Sequence, residues 1–304
     1  MLTPAPLYPG ARVALVAPAS PVPRERLSPA VEAVRALGLE PVVYPSCRPE
    51  HRRGYLAAPD PVRAGDIQAA FCDNSIAGVL CIRGGYGANR ILPLLDWAAI
   101  ARHPKVFAGY SDITAFHIVL NQRCGLVTYH TIMPSTEYWE PVDPFSMGGL
   151  RRAPFGGLTG VLPLPEGAVP VPLAPGRAEG VLCGGNLTLV CTSLGTPWEI
   201  DTRGKLLFLE DIGEKPRRID AMLTQLRNAG KFADCAGVIL GAWTDCPEEE
   251  GDLPLEESFW ELILPAGKPV LAGVPCGHVL PTWSLPLGAR AVLDAGAGRL
   301  EVLS

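Results

Sequence analysis

Apolar residues come in short runs through the first half of the chain, and most runs are followed by a segment whose apolar positions fall three and four apart. Arg12–Pro18 (RVALVAP) has strand length, and Ser28–Gly38 (SPAVEAVRALG) places Val31, Val34 and Leu37 on one helical face before a closing glycine. PVVYP (41–45) reads as a second strand, and a longer helical pattern carries Ile67, Ala70 and Phe71. IAGVLCI (76–82), ILPLLDWAAI (91–100) and KVFAGYS (105–111) follow. Strands separated by helices in this order predict a parallel sheet with helices on its faces.

Between about Val142 and Arg177 the pattern changes to recurring proline and glycine, as in GGLTGVLPLPEGAVPVPLAPG, with no helical period. The stretch reads as a linker with short extended segments. Beyond it come GVLCGGNLTLVCTSLG, the strand KLLFLED, and a helix over PRRIDAMLTQLRNAG with Ile219, Met222, Leu223 and Leu226 on one face. The strands GVILGAW and KPVLAGV complete the expectation of a second, mixed domain. The expected division is an N-terminal α/β domain over 1–150, a linker over 151–176 and a C-terminal domain over 177–304.

Composition narrows the partners. The chain has 304 residues, 48% of them hydrophobic, which is enough to bury a real core in two modest domains. Its formal net charge is −5 with no basic block, so a surface that tracks nucleic-acid phosphates is not expected. No positively charged segment precedes an apolar signal core, and no apolar run is long enough for a bilayer. The expectation is a soluble cytoplasmic protein without membrane contact. Nine cysteines lie singly, without C-x-x-C pairs, which fits reduced thiols rather than disulfides or zinc. With no H-E-x-x-H and no histidines at ligand spacing, no metal is expected either.

Candidate chemistry centres on Ser111, where the strand KVFAG ends and a helix begins. Such an elbow presents a side-chain oxygen and sets the next backbone N–H, that of Asp112, at a positive helix end. Ser111 or Asp112 serves equally as a plain helix cap, and the G-x-S-x-G pattern is half met, since Ile113 takes the second glycine position. CIRGGYGANR (81–90) also follows a strand and fits neither a dinucleotide nor a phosphate-loop fingerprint, so no nucleotide cofactor is expected. The backbone of Gly84 or Gly85 can donate to a developing oxyanion, or the glycines can simply turn the chain.

A serine nucleophile needs a base. Of five histidines, His51 and His103 lie in polar segments, His117 is on the helix that Ser111 opens, His130 ends GLVTYH, and His278 sits in a glycine-preceded loop after a strand. The orienting carboxylate has three candidates in KLLFLEDIGEKP: Glu210, Asp211 and Glu214. Strand alternation sends Glu210 and Asp211 to opposite faces without saying which one meets the base.

Six segments together, RVALVAPASPV, IRGGYGANRILPLLD, GYSDITAFH, GGNLTLVCTSLGTP, LFLEDIGE and GHVLPTWSLPLG, resemble the LD-carboxypeptidase family of serine peptidases, which includes the microcin C immunity peptidases. The resemblance runs from about residue 10 to the end, in family order. It implies Ser111 as nucleophile, Glu210 as orienting carboxylate and His278 as base, with Gly85 and Asp112 N–H groups in the oxyanion hole. It further implies a parallel-sheet N-terminal domain, a β-rich C-terminal domain, a homodimer and no cofactor. The expected substrate is a murein tetrapeptide losing its terminal D-alanine, with aminoacyl adenylates of the microcin C type as the alternative. A peptide-binding protein without turnover is a further reading, which the intact serine, glutamate and histidine argue against. Two departures from relatives stand out: HTIMPS after the strand ending in His130, where His-Gly-Pro is common, and PRRIDAM after EDIGE. Trp139, Trp198 and Trp283 are candidate ligand-flanking or packing residues.

Overall fold

The computed structural model describes residues 1–304 as two compact units, Met1–Gly157 with Ser284–Pro286, and Leu158–Trp283 with Leu287–Ser304. No helix is long and apolar enough to cross a membrane.

The first unit is built on β1 (Arg12–Val16), β2 (Glu40–Val43), β3 (Gly78–Cys81), β4 (Val106–Gly109) and β5 (Thr128–His130). These strands run parallel in the order β5-β4-β3-β1-β2, and the late segment Leu285–Leu287 adds a sixth strand outside β5. β3 and β4 are buried at every position, which is why they read as continuous apolar runs rather than as alternation. Helices Arg24–Ala36, Asp60–Cys72 and Thr114–Cys124 connect the strands. ILPLLDWAAI adds no strand. Pro93 opens a short turn, and Asp96 starts the helix Trp97–Ala101 by accepting the Ala99 N–H at 2.9 Å. The strand order reverses at β1, so the loops after β1 and β3 diverge at the sheet's switch point, where open α/β sheets hold their ligands.

The second unit holds β6 (Gly160–Val161), β7 (Val171–Ala174), β8 (Arg177–Asn186), β9 (Leu206–Ile212), β10 (Gly237–Thr244), β11 (Val270–Ala272), β13 (Arg290–Asp294) and β14 (Arg299–Val302), with Leu285–Leu287 counted as β12. The order is β6-β14-β13-β8-β9-β10-β11-β7. β8 to β11 pair in parallel, and the outer pairs are antiparallel. The sheet is mixed, with the apolar face of helix Pro216–Asn228 buried through Ile219, Leu223 and Leu226.

The proline- and glycine-rich stretch departs from its reading as a segment without helix. Pro144–Arg152 is helical, started by Asp143, whose Oδ1 accepts the Ser146 N–H at 2.8 Å, with proline at the first position. Its buried face consists of Ser146, Gly149 and Leu150, so small residues hide the apolar period. The prolines beyond it fall in or beside β6 and β7, the two edge strands, where a missing N–H is tolerated.

Candidate active site

In the first unit β4 ends at Gly109, a position that takes glycine because a Cβ there would stand 2.9 Å from Cys81 Cβ and 3.2 Å from the Ile113 side chain. Tyr110 is extended, and Ser111 then takes φ 65°, one of only two non-glycine residues with positive φ. A left-handed conformation costs an L-residue roughly 1–2 kcal/mol. A tight turn over Ser111–Ile113 leads into helix Thr114–Cys124. Neither Ser111 nor Asp112 caps that helix. The Asp112 carboxylate instead accepts the Ala88 N–H at 2.8 Å, tying the corner to the end of the glycine loop.

That loop lies against the serine. A Cβ on Gly84 would sit 2.9 Å from Ser111 Cβ and 3.2 Å from its Oγ, so only glycine fits. Gly85, at φ 110°, is backed by Ser20, whose Oγ accepts the Tyr86 N–H at 3.1 Å. Arg63 fixes the base of the loop. Wholly buried, it donates to the carbonyls of Gly87 at 2.8 Å, Ala58 at 3.0 Å and Pro18, and pairs with Asp60 at 2.5 Å. Neither Arg63 nor Ser20 stands out in the sequence, since an arginine inside DPVRAGDIQAAF looks like a solvated helix face.

In the second unit Glu210 lies near the end of β9, fully buried. Its Oε2 accepts from His278 Nδ1 at 2.7 Å and from the His278 backbone N–H at 3.3 Å. With Nδ1 as donor, Nε2 of the neutral ring is left as the acceptor a general base requires. Two glycines make room for this pair. A Cβ on Gly277, at φ 112°, would lie 2.6 Å from Oε2, and one on Gly241 would lie 3.1 Å from Glu210 Cβ. Thr244 Oγ1 donates to the His278 carbonyl at 2.6 Å and steadies the loop.

The remaining candidates have other partners. Asp211 accepts from Asn186 Nδ2 at 2.7 Å and from the Thr188 N–H and hydroxyl at 2.9 and 2.8 Å, anchoring helix Leu187–Ser193. Glu214 pairs with Arg218 at 3.8 Å. His103 Nδ1 meets the Ala99 carbonyl at 2.9 Å, and the His130 ring lies edge-on to Tyr110 with centroids 5.5 Å apart. The departure after His130 has a structural use, because the Thr131 hydroxyl bonds Ser284 Oγ at 2.6 Å, just ahead of β12. Trp283 is a packing residue, buried with its indole N–H on the Pro163 carbonyl at 2.5 Å.

The sequence profile of the LD-carboxypeptidase N-terminal domain matches residues 13–131, and that of the LD-carboxypeptidase C-terminal domain matches residues 179–293. The chain belongs to the LD-carboxypeptidase family. It is accordingly a serine-type carboxypeptidase, a hydrolase. A probable murein peptide carboxypeptidase of Bacillus subtilis (strain 168) is 40% identical over 94% of this chain and 89% of its own length. The murein tetrapeptide carboxypeptidase of Pseudomonas aeruginosa is 32% identical over 93% of each chain. The microcin C7 self-immunity protein MccF of Escherichia coli is 27% identical over 76% of this chain and 75% of its own. A solved structure of MccF in complex with aspartyl sulfamoyl adenosine shares the fold, with a TM-score of 0.92 over 100% of this chain and 99% of that one at 22% identity.

Two buried groups at the serine corner of this LD-carboxypeptidase titrate away from their ordinary ranges. Burial raises Asp112 to about 6, opposed by the Ala88 N–H and the charge of Arg63. Burial lowers His117 to about 4, its Nε2 donating to the Gly109 carbonyl at 2.9 Å and its Nδ1 meeting Thr128 Oγ1 at 2.8 Å. Asp112, with its raised value, stabilises the fold most in acid and loses that contribution as pH climbs from its ordinary 3.8 to about 6. His117, with its lowered value, costs stability as pH falls from 6.5 to about 4. The two slopes oppose each other between about pH 4 and 6. Asp112→Asn keeps an acceptor for Ala88 without the charge. The variant is expected to be more stable than wild type at pH 8 by roughly 1–3 kcal/mol, with the difference vanishing near pH 4. Urea unfolding of both proteins at pH 4.5, 6 and 8 measures this. A constant difference across that range would remove the Asp112 charge from the pH dependence.

Proposed function

We propose that this LD-carboxypeptidase removes the terminal D-alanine from the L,D-linked end of cytoplasmic murein tetrapeptides in cell-wall recycling, through an acyl-enzyme on Ser111. The observation that carries the reading is the left-handed Ser111 at a strand-to-helix corner, pressed against a glycine that admits no side chain. The full-length similarity to proteins named murein carboxypeptidases supplies the substrate class.

In this reading Ser111 Oγ attacks the scissile carbonyl while His278 Nε2 takes its proton, and the Glu210 carboxylate stabilises the resulting imidazolium. The N–H groups of Gly85 and Asp112 receive the oxyanion. Gly84, where the serine leaves no room for a side chain, begins the peptide that carries the Gly85 N–H, and the Asp112 N–H belongs to the first turn of a helix, where no carbonyl partners it. Collapse of the tetrahedral intermediate passes the proton from His278 to the departing D-alanine amine. Water, deprotonated by the same imidazole, then releases the acyl group and restores the serine.

A second reading, hydrolysis of aminoacyl adenylates of the microcin C type, draws on the likeness to MccF and on Trp139, which lines a cleft of about 520 Å³ with Ala33, Ala36 and Met147. One face of that indole is already taken by Arg26, 4.6 Å from the ring centroid. The test is to incubate purified protein separately with murein tetrapeptide and with aspartyl sulfamoyl adenosine. Release of D-alanine alone is the expected result. Release of sulfamoyl adenosine alone would replace the proposal with the second reading, and no release from either would point to binding without turnover.

A further inference from the structure

We propose that a cleft beside the glycine loop, walled by Arg24, Arg52 and Arg83, binds the terminal carboxylate of the peptide substrate. The inference rests on the carboxypeptidase reading above. The cleft has a volume of about 550 Å³ and lies where the loops after β1 and β3 part, Ser20 and Arg24 following β1 and Arg83 following β3.

None of the three arginines has a carboxylate partner, whereas Arg63, Arg90, Arg203 and Arg290 each pair with an acid. Glu25 is the one acid on the cleft wall, and it forms no ion pair with them. The backbone takes one bond from each of two guanidiniums: Arg83 Nη1 donates to the Pro21 carbonyl and Arg52 Nε to the Gly54 carbonyl, both at 2.8 Å. Burial, and after it the charges of Arg26 and Arg52, pushes Arg83 below the usual guanidinium range. Like charges gathered around a half-buried guanidinium repel one another unless an anion completes the set. A carboxylate does so with two parallel hydrogen bonds to a guanidinium fork.

The position matches the chemistry. Arg83 immediately precedes Gly84, where Ser111 leaves no room for a side chain, and Ser20 on the cleft wall backs Gly85. Tyr55, also on the wall, contacts the Tyr86 ring edge-on at 5.7 Å. A carboxypeptidase substrate carries its terminal carboxylate on the residue after the scissile carbonyl, one Cα step of about 3.8 Å away. An anion site adjoining the loop proposed to receive the oxyanion can therefore hold that charge, and it would exclude chains that continue past that residue.

The test uses calorimetry on Ser111→Ala protein, which binds without turnover, titrated with murein tetrapeptide and with the same peptide ending in a carboxamide. The free acid is expected to bind roughly ten- to hundredfold tighter. Adding Arg52→Ala or Arg83→Gln should bring the two ligands close to parity. Adding Arg203→Ala, which removes a surface arginine from the second unit, should leave the preference intact. Thermal unfolding checks that each variant is folded. Equal binding of acid and amide, a preference that survives both cleft variants, or no binding of either peptide would overturn the inference. Tighter occupation of the cleft by inorganic phosphate than by the acid peptide would also overturn it, in favour of a phosphorylated ligand. D-alanine release by wild type without an acid preference would defeat the cleft and spare the proposed function. An arginine-dependent preference without release would do the reverse.

Discussion

Ser111→Ala is expected to slow D-alanine release by roughly 10⁴- to 10⁶-fold while leaving the protein folded, with steady-state assays and thermal unfolding as the two readouts. In the proposed mechanism the loss follows from removing the atom that forms the acyl bond, and the residual rate comes from the remaining oxyanion donors and substrate binding. Stability should barely move, because alanine keeps the Cβ that strains a backbone at φ 65°. Ser111→Gly separates strain from chemistry. It should be as inactive as the alanine variant yet at least as stable, gaining up to about 1 kcal/mol as the left-handed penalty disappears against the greater chain entropy of glycine. Alanine-variant turnover within tenfold of wild type would end the acyl-enzyme mechanism on Ser111. A glycine variant clearly less stable than the alanine one would mean the corner stores no strain.

The corner was legible in the sequence because its signals are local: an apolar strand, a glycine, a serine, then helical residues. What the missing second glycine meant was not. Ile113 is wholly buried and packs into the space that Gly109 leaves, so the tight approach is provided from one side of the serine rather than both. The capping alternative was equally undecidable, since the true partner of Asp112 is an N–H 24 residues away. For the carboxylates, alternation along β9 separated Glu210 from Asp211. The space that receives Glu210 comes from Gly241 on β10 and Gly277 in a distant loop, and the donors that claim Asp211 come from Asn186 and Thr188. Arg63 and helix Pro144–Arg152 escaped for a related reason: a buried cation and a buried face of small residues both run against the apolar code by which burial is read.

Glu210→Gln is expected to cost roughly 10²- to 10⁴-fold in kcat with KM little changed, and to leave the fold at least as stable. The geometry makes this variant informative. Glu210 Oε2 already accepts both N–H groups of His278, and Oε1 is buried without a protein donor. A glutamine can place its carbonyl oxygen where Oε2 is and its amide nitrogen where Oε1 is, preserving the ring orientation and the tautomer in which Nδ1 carries the proton. What disappears is the negative charge that, in the proposed mechanism, stabilises the imidazolium formed when Ser111 gives up its proton. The loss should therefore fall in the chemical step rather than in binding. Exchanging a buried carboxylate for a neutral amide also lowers a desolvation cost, which is why no loss of stability is expected. Turnover within about threefold of wild type would take the carboxylate out of the reaction and leave Glu210 as a support for the Gly277–His278 turn.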